Sequence, residues 1–191
     1  MRIVAGQLRG RRLAALGKGD LPAHLRPTSD RVRESLFSLL THLDVIKDAQ
    51  VLDLFAGTGA LGLEAVSRGA AHATFVENGR KSLALVSENV KLTGTQKQTT
   101  VLRRDATRLG ANPSAAFDLV FLDPPYGKAM GERAIKAAVD GGWLAPAARI
   151  IWEEGGMVAP PAGFSQLDAR KYGDTFITIL RWDDSDKTGD F

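Results

Sequence analysis

The chain has 191 residues, 44% hydrophobic and 25% charged, enough for one well-formed core and too few for two full domains. No run approaches the roughly 18 to 20 apolar residues of a membrane span, and Met1-Arg2-Ile3-Val4 opens no signal peptide, so a cytoplasmic protein without a membrane partner is expected. With no cysteine, disulfides, thiolate zinc sites, iron–sulfur clusters and pyrimidine C5 methylation through a cysteine nucleophile are excluded, and His24, His42 and His72 lack ligand or triad spacing, so no metal is expected.

Charge is concentrated at the start. Residues 1–36 carry Arg2, Arg9, Arg11, Arg12, Lys18, Arg26, Arg31 and Arg33 against Asp20, Asp30 and Glu34, a net of +5, whereas the whole chain is +3. Such a segment is an electrostatic footprint for a polyanion. Arg2 to Leu13 alternates apolar and polar residues around Gly6 and Gly10, as a twisted hairpin does. Residues 1–25 are therefore read as a basic hairpin extension. Pro27 to Leu40 then predicts an amphipathic helix, with Thr28 or Ser29 as N-cap and Val32, Leu36, Leu39 and Leu40 on the apolar face.

Gln50 to Ala65 reads as a short strand, a glycine turn and a helix start. Gly57, Gly59 and Gly62 satisfy G-x-G-x-x-G, which alone points equally to a dinucleotide fold. Asp53, four residues before the first glycine, discriminates: a pyrophosphate loop gains nothing from a negative charge there, whereas a ligand carrying an ammonium and a sulfonium does. The strand Ala73 to Val76 ends in Glu77, an acceptor suited to both hydroxyls of a ribose, and the strand around Thr100 to Leu102 is followed by Asp105, suited to an adenine amine. Helices are predicted at Leu61 to Arg68, Arg80 to Leu92 and Gly131 to Asp140.

The apolar run Phe117 to Leu122 ends in Asp123-Pro124-Pro125-Tyr126. Two prolines lack the N–H groups of a ladder and hold the preceding residues extended, so the chain leaves the sheet here. A carboxylate, carbonyls without local donors and an aromatic ring remain, a set that suits a planar group with an exocyclic NH₂. A fifth strand is predicted at Ala148 to Glu153, and Gln166 to Tyr172 with Thr175 to Trp182 flank the hairpin turn Gly173-Asp174. The polar stretch 183–191 is expected to be a disordered acidic tail beyond a catalytic domain spanning 26–182.

An acid, a glycine turn, two further acids and Asp-Pro-Pro-Tyr, in that order, resemble class I S-adenosylmethionine-dependent methyltransferases from about residue 45 to 182. The implied fold is α/β: a mostly parallel, Rossmann-like sheet flanked by helices, closed by a C-terminal antiparallel hairpin. Arg-Gly-Arg near the start, Arg26-Pro27-Thr28 with Asp30 to Phe37, the loop from Asp53 to Gly62, Asp123 to Tyr126 and Lys171 to Thr175 narrow the likeness to the RsmD family of small-subunit rRNA guanine-N2 methyltransferases. That resemblance implies S-adenosylmethionine as donor, a guanine amine of 16S rRNA or the small ribosomal subunit as acceptor, and a monomer. By position it assigns Asp53, Phe55, Gly57, Thr58, Gly59, Glu77 and Asp105 to the cofactor and Asp123, Pro124 and Tyr126 to the base. Arg9, Arg11, Arg12, Arg26, Arg31 and Arg33 are the candidate RNA contacts. Asn78-Gly79 is a loose start for the next helix.

Chemistry supports a clamp at Asp123. A guanine N2 lone pair is delocalised into the ring; accepting its protons at Asp123 and the Pro124 carbonyl favours a pyramidal nitrogen aimed at the methyl group. Tyr126 would stack on an extruded base. Adenine-N6 DNA methylation uses the same logic but leaves no room for a target-recognition domain. Glutamine-N5 protein methylation has less use for the basic segment, and a non-enzymatic RNA-binding protein has none for the four acids.

Overall fold

The computed structural model describes residues 1–15 and 29–183. Arg26, the alternative N-cap Thr28 and the expected acidic tail beyond residue 183 lie outside them. Seven strands form one sheet: β1 (Gln50–Leu54), β2 (His72–Glu77), β3 (Thr99–Arg103), β4 (Phe117–Leu122), β5 (Leu144–Glu154), β6 (Phe164–Tyr172) and β7 (Thr175–Trp182), in the order β3-β2-β1-β4-β5-β7-β6. All neighbours are parallel except β7, which runs antiparallel to both β5 and β6.

Burial on both faces explains the near-continuous apolar strands. Val51, Phe75, Leu119, Phe121 and Ile151 pack towards α1 (Asp30–His42), α2 (Ala60–Ser67) and α3 (Arg80–Thr93). Leu52, Leu54, Val120, Leu122 and Trp152 pack on the other side against α4 (Met130–Asp140) and Trp143. The period of two that separates these sets is the pleat itself.

Ser29 caps α1, its hydroxyl accepting the Val32 N–H at 3.3 Å. Phe37 joins Leu36 and Leu40 on the buried face and meets the Phe121 ring at 5.5 Å. The other predicted helices fall within a residue of their positions, whereas α1 runs two residues past the expected Leu40. β5 differs: it begins at Leu144, not Ala148, because Leu144 already pairs with Phe117 before the register jumps to Leu119–Arg149. Pro146, with no N–H to donate, sits inside this irregularity, where a strand tolerates proline.

The N-terminal segment closes on itself as expected but forms no ladder. Arg2 and Arg12 make an isolated antiparallel bridge, flanked by Ile3 N–H to Arg11 carbonyl and Gly10 N–H to Ile3 carbonyl, both 2.9 Å. The amides of four intervening residues go to α2 instead. Val4 and Ala5 donate to the Glu64 carboxylate at 2.7 and 3.0 Å, and Gln7 and Leu8 donate to the carbonyl and hydroxyl of Ser67. Glu64, fully buried, is completed by Arg68 at 2.9 Å, as a buried carboxylate requires. Ile3 and Leu13 join the core cluster of the main sheet, each contributing roughly 1.5 to 3 kcal/mol by burial. A Cβ at Gly6 would collide with the Ser67 carbonyl oxygen, so this contact depends on glycine.

Candidate active site

The order of the sheet places a crevice where β1 and β4 run side by side while their connections turn in opposite directions. Open α/β sheets hold ligands outside the carboxyl ends of such strands. Here those ends deliver Asp53, Glu77 and Asp123, with Glu153 and Glu154 following on β5.

Asp53 is 2% exposed and its Oδ2 accepts the Gly62 N–H at 3.0 Å. That amide, in the first turn of α2, has no intrahelical acceptor, so the carboxylate anchors the glycine turn. Burial pushes the Asp53 carboxyl up to about 8, opposed by the Gly62 hydrogen bond and reinforced by the charge of Glu77. The turn itself is tightly wound. Phe55 adopts φ 60°, and Gly59, in left-handed conformation at φ 75°, starts α2 without a side-chain cap. The amides of Ala60 and Leu61 thus begin a helix facing the crevice, a polarity that favours a carboxylate.

Glu77 binds the loops together: Oε2 accepts the Gly57 N–H at 3.0 Å, while Oε1 accepts those of Asn78 and Gly79 at 2.9 and 2.7 Å. It thereby ties down the Asn78-Gly79 turn that leads into α3, whose N-cap Gly79 makes no side-chain cap. Asp105 Oδ1 accepts the Thr107 hydroxyl and N–H at 2.7 and 2.9 Å. Those bonds, hydroxyl first, hold its carboxyl below the usual range. Thr58 is tied in from elsewhere. Asn89, fully buried on α3, donates to the carbonyls of Thr58 and Ala14 and accepts the Ala14 N–H, linking the N-terminal segment to the glycine turn.

Asp123 follows β4 directly and is half-buried; Pro124 is buried. Burial first, then the charges of Glu153, Asp53 and Glu154, raise the Asp123 carboxyl well above its ordinary value. The Tyr126 hydroxyl donates to Glu153 Oε1 at 3.1 Å and lies 3.2 Å from Thr175 Oγ1. Gly155 approaches the same ring so closely that a Cβ would stand 3.1 Å from Tyr126 Cδ2. Outside lies a groove of about 730 Å³ lined by Tyr126, Gly127, Glu132, Glu154 and Met157 among others. Among the described residues no group of three or more histidines, aspartates or glutamates is arranged to hold a metal ion.

The crevice therefore brings together Asp53, Glu77 and Asp123, with Asp105 beyond β3. Glu153, Glu64 and Asn89 were not foreseen; only Glu153-Glu154, closing the apolar run Ile150-Ile151-Trp152, left a visible signal. Of the candidate RNA contacts, Arg9, Arg11, Arg12 and Arg31 are exposed. Arg33 is not one of them. It is 1% exposed, and its Nη2 donates to Asp30 Oδ1 and the Arg2 carbonyl, both at 2.6 Å. One turn before Phe37, it occupies the packed face of α1, where its stem is buried and its charge is spent on holding the N-terminal segment.

The family profile described as "Conserved hypothetical protein 95" matches residues 1–181. The chain is 44% identical over 170 residues to ribosomal RNA small subunit methyltransferase D of Escherichia coli, an overlap of 86% of this chain and 81% of that one. It is 38% identical over 156 residues to the protein of that name from Haemophilus influenzae, covering 80% of this chain and 78% of its relative. A solved structure from Escherichia coli, designated a methyltransferase, superposes with a TM-score of 0.80 at 36% identity, covering 95% and 97% of the two chains. The fold and family imply S-adenosylmethionine as cofactor, and acids at successive strand ends beside the start of α2 fit its ammonium, hydroxyls and carboxylate. On fold and sequence together, this chain belongs to the ribosomal RNA small subunit methyltransferase D family.

Proposed function

We propose that this protein methylates the exocyclic N2 amine of a guanine in small-subunit rRNA, working as a monomer without a metal. The observation that carries this reading is Asp123-Pro124-Pro125-Tyr126 leaving β4 beside an acid-lined crevice at the sheet's switch point. Bound in that crevice, S-adenosylmethionine supplies an electrophilic methyl group on a sulfonium. Asp53 and the first amides of α2 hold the methionine end, Glu77 the ribose and Asp105 the adenine, with Phe55, Gly57, Thr58 and Gly59 forming the wall. Asp123 and the Pro124 carbonyl accept the two N–H groups of the target amine, and the Tyr126 ring supports the extruded base for roughly 1 to 3 kcal/mol.

The test is methyl transfer from labelled cofactor to unmethylated small-subunit rRNA, naked and assembled, with mass mapping of the nucleosides. N2-methylguanosine is expected. Label in the N6 of adenine in duplex DNA, or in a glutamine amide, would replace this reading with one of its competitors.

Two further outcomes follow from the charges. Asp53, with its carboxyl at about 8, is mostly protonated in the free protein at neutral pH. A cationic ligand favours the carboxylate, so cofactor binding releases a proton, and affinity rises as pH climbs towards 8. Calorimetry in buffers of different ionisation enthalpy should register that proton, and Asp53→Asn should bind more weakly with no such release. On the basic arm, reversing Arg9, Arg11 and Arg12 should lower RNA affinity about tenfold or more at low salt and flatten its salt dependence, with cofactor affinity unchanged. Arg33→Ala should instead lower thermal stability and leave the salt slope alone.

A further inference from the structure

The buried carboxylate of Glu153 is not absorbed by cofactor or base. Leu122–Trp152 is the last pair of β4 and β5, so Asp123, the first residue beyond β4, and Glu153, the next on β5, come close where the ladder ends, and the Glu153 charge acts on Asp123. Glu153 is 6% exposed, and its other neighbour is Ile177 of β7. Its Oε1 accepts the Tyr126 hydroxyl at 3.1 Å, and the same hydroxyl lies 3.2 Å from Thr175 Oγ1 at the start of β7. Two carboxylates this close in a low dielectric raise one another's proton affinity.

We infer that Glu153 is a positioning residue: it fixes the Tyr126 ring through the phenol and, as the adjacent negative charge, makes Asp123 a stronger proton acceptor for the reacting amine. This rests on the methyltransferase reading above. As the amine lone pair forms the N–C bond, the methyl–sulfur bond would break with its electron pair left on sulfur, giving a neutral thioether; one N–H bond breaks, its pair stays on nitrogen, and the proton goes to an Asp123 carboxylate oxygen and then to water. Asp123 must be ionised to receive it. The groups acting on Asp123 are Glu153 and Glu154 from β5 and Asp53 from β1, with Tyr126 on its own loop; on α1, Arg33 is engaged by Asp30. Like charge raises the proton affinity of Asp123, so removing the Glu153 charge lowers the pH at which Asp123 ionises.

Glu153→Gln keeps an acceptor for the phenol and removes the charge, whereas Glu153→Asp keeps the charge. Carboxyl-carbon NMR titration of Asp123 in the free protein, assigned by difference from Asp123→Asn, should move down by about one pH unit or more in the Gln variant. In the Asp variant it should stay close to the parent. Thr175→Val, which releases one side of the phenol without changing charge, should slow single-turnover transfer about threefold and leave the titration where it was. An Asp123 titration unmoved in Glu153→Gln, or moved equally in Thr175→Val, overturns the inference. The acid limb of the single-turnover rate profile should shift with the titration. If the titration moves and the limb does not, the coupling stands and the proton-acceptor role of Asp123 fails. If the parent transfers no methyl group to rRNA, the functional reading fails while the titration still decides the role of Glu153.

Discussion

Asp123→Ala should reduce single-turnover methyl transfer by about a hundredfold to a thousandfold with cofactor binding intact. Loss of an acceptor preorganised at the reacting group has this scale, and the cofactor is assigned to the acids on the neighbouring strands. Asp123→Asn should retain measurable activity, because one acceptor oxygen survives without the charge. The same variant should also be more stable than the parent. Asp123 is raised by burial and by Glu153, Asp53 and Glu154, so above the ordinary carboxyl range the unfolded chain has released a proton that the native state retains. Stability therefore falls as pH rises through that window, and an uncharged Asn removes the penalty. Thermal melts at about pH 8 should place Asp123→Asn a few degrees above the parent. Tyr126→Phe keeps the stacking face and should cost far less than Tyr126→Ala. Parent-like activity in Asp123→Ala would remove the clamp from the mechanism, and lost cofactor binding in Tyr126→Ala would merge the two subsites.

Gly62→Ala should weaken cofactor binding about tenfold or more and destabilise the protein by about 1 to 3 kcal/mol, the usual cost of overpacking. A Cβ there would overlap the ring of Phe75, which is fully buried on β2, and would stand 3.2 Å from Asp53 Oδ2. Neither neighbour is the loose end of a flexible side chain. Relief requires α2 to shift from the sheet, which breaks the 3.0 Å bond from the Gly62 amide to Asp53 and moves the start of the helix that faces the crevice. Isothermal titration with cofactor and a melt of the same preparation separate the two effects. Parent-like values in both would mean that α2 tolerates the extra methyl and that the turn is less constrained than its packing indicates.

Elements with a strong local signal were legible before the fold. Phe117 to Leu122 could only be a buried strand, and Pro124-Pro125 could only end it, because apolar runs and missing N–H groups act within a few residues. A cap at Thr28 or Ser29 was legible for the same reason, and Ser29 is the one that accepts the Val32 N–H. The acids at Asp53, Glu77 and Asp123 could be singled out because a charge ending an apolar strand is conspicuous, and the order of those motifs carried the family. β5 was less visible, since Leu144 belongs to it only through pairing with Phe117 across the bulge.

Local pattern thus determined the class of fold, the glycine turn after β1 and the end of β4 at Asp123. The tertiary structure decided where long-range partners send hydrogen bonds and charge. Arg33 reads as one more cation in a basic arm, yet packing beside Phe37 buries it and turns it to Asp30 and the Arg2 carbonyl. The N-terminal segment reads as a hairpin, yet Glu64 and Ser67 take the amides that its own ladder would use. Glu153 reads as the end of a strand, and only the β4–β5 register and the β6–β7 hairpin bring it beside Asp123 and under Tyr126. The physical reason is common to all three: a polar group's partner depends on what folding brings within about 3 Å, and these partners lie up to 60 residues away along the chain.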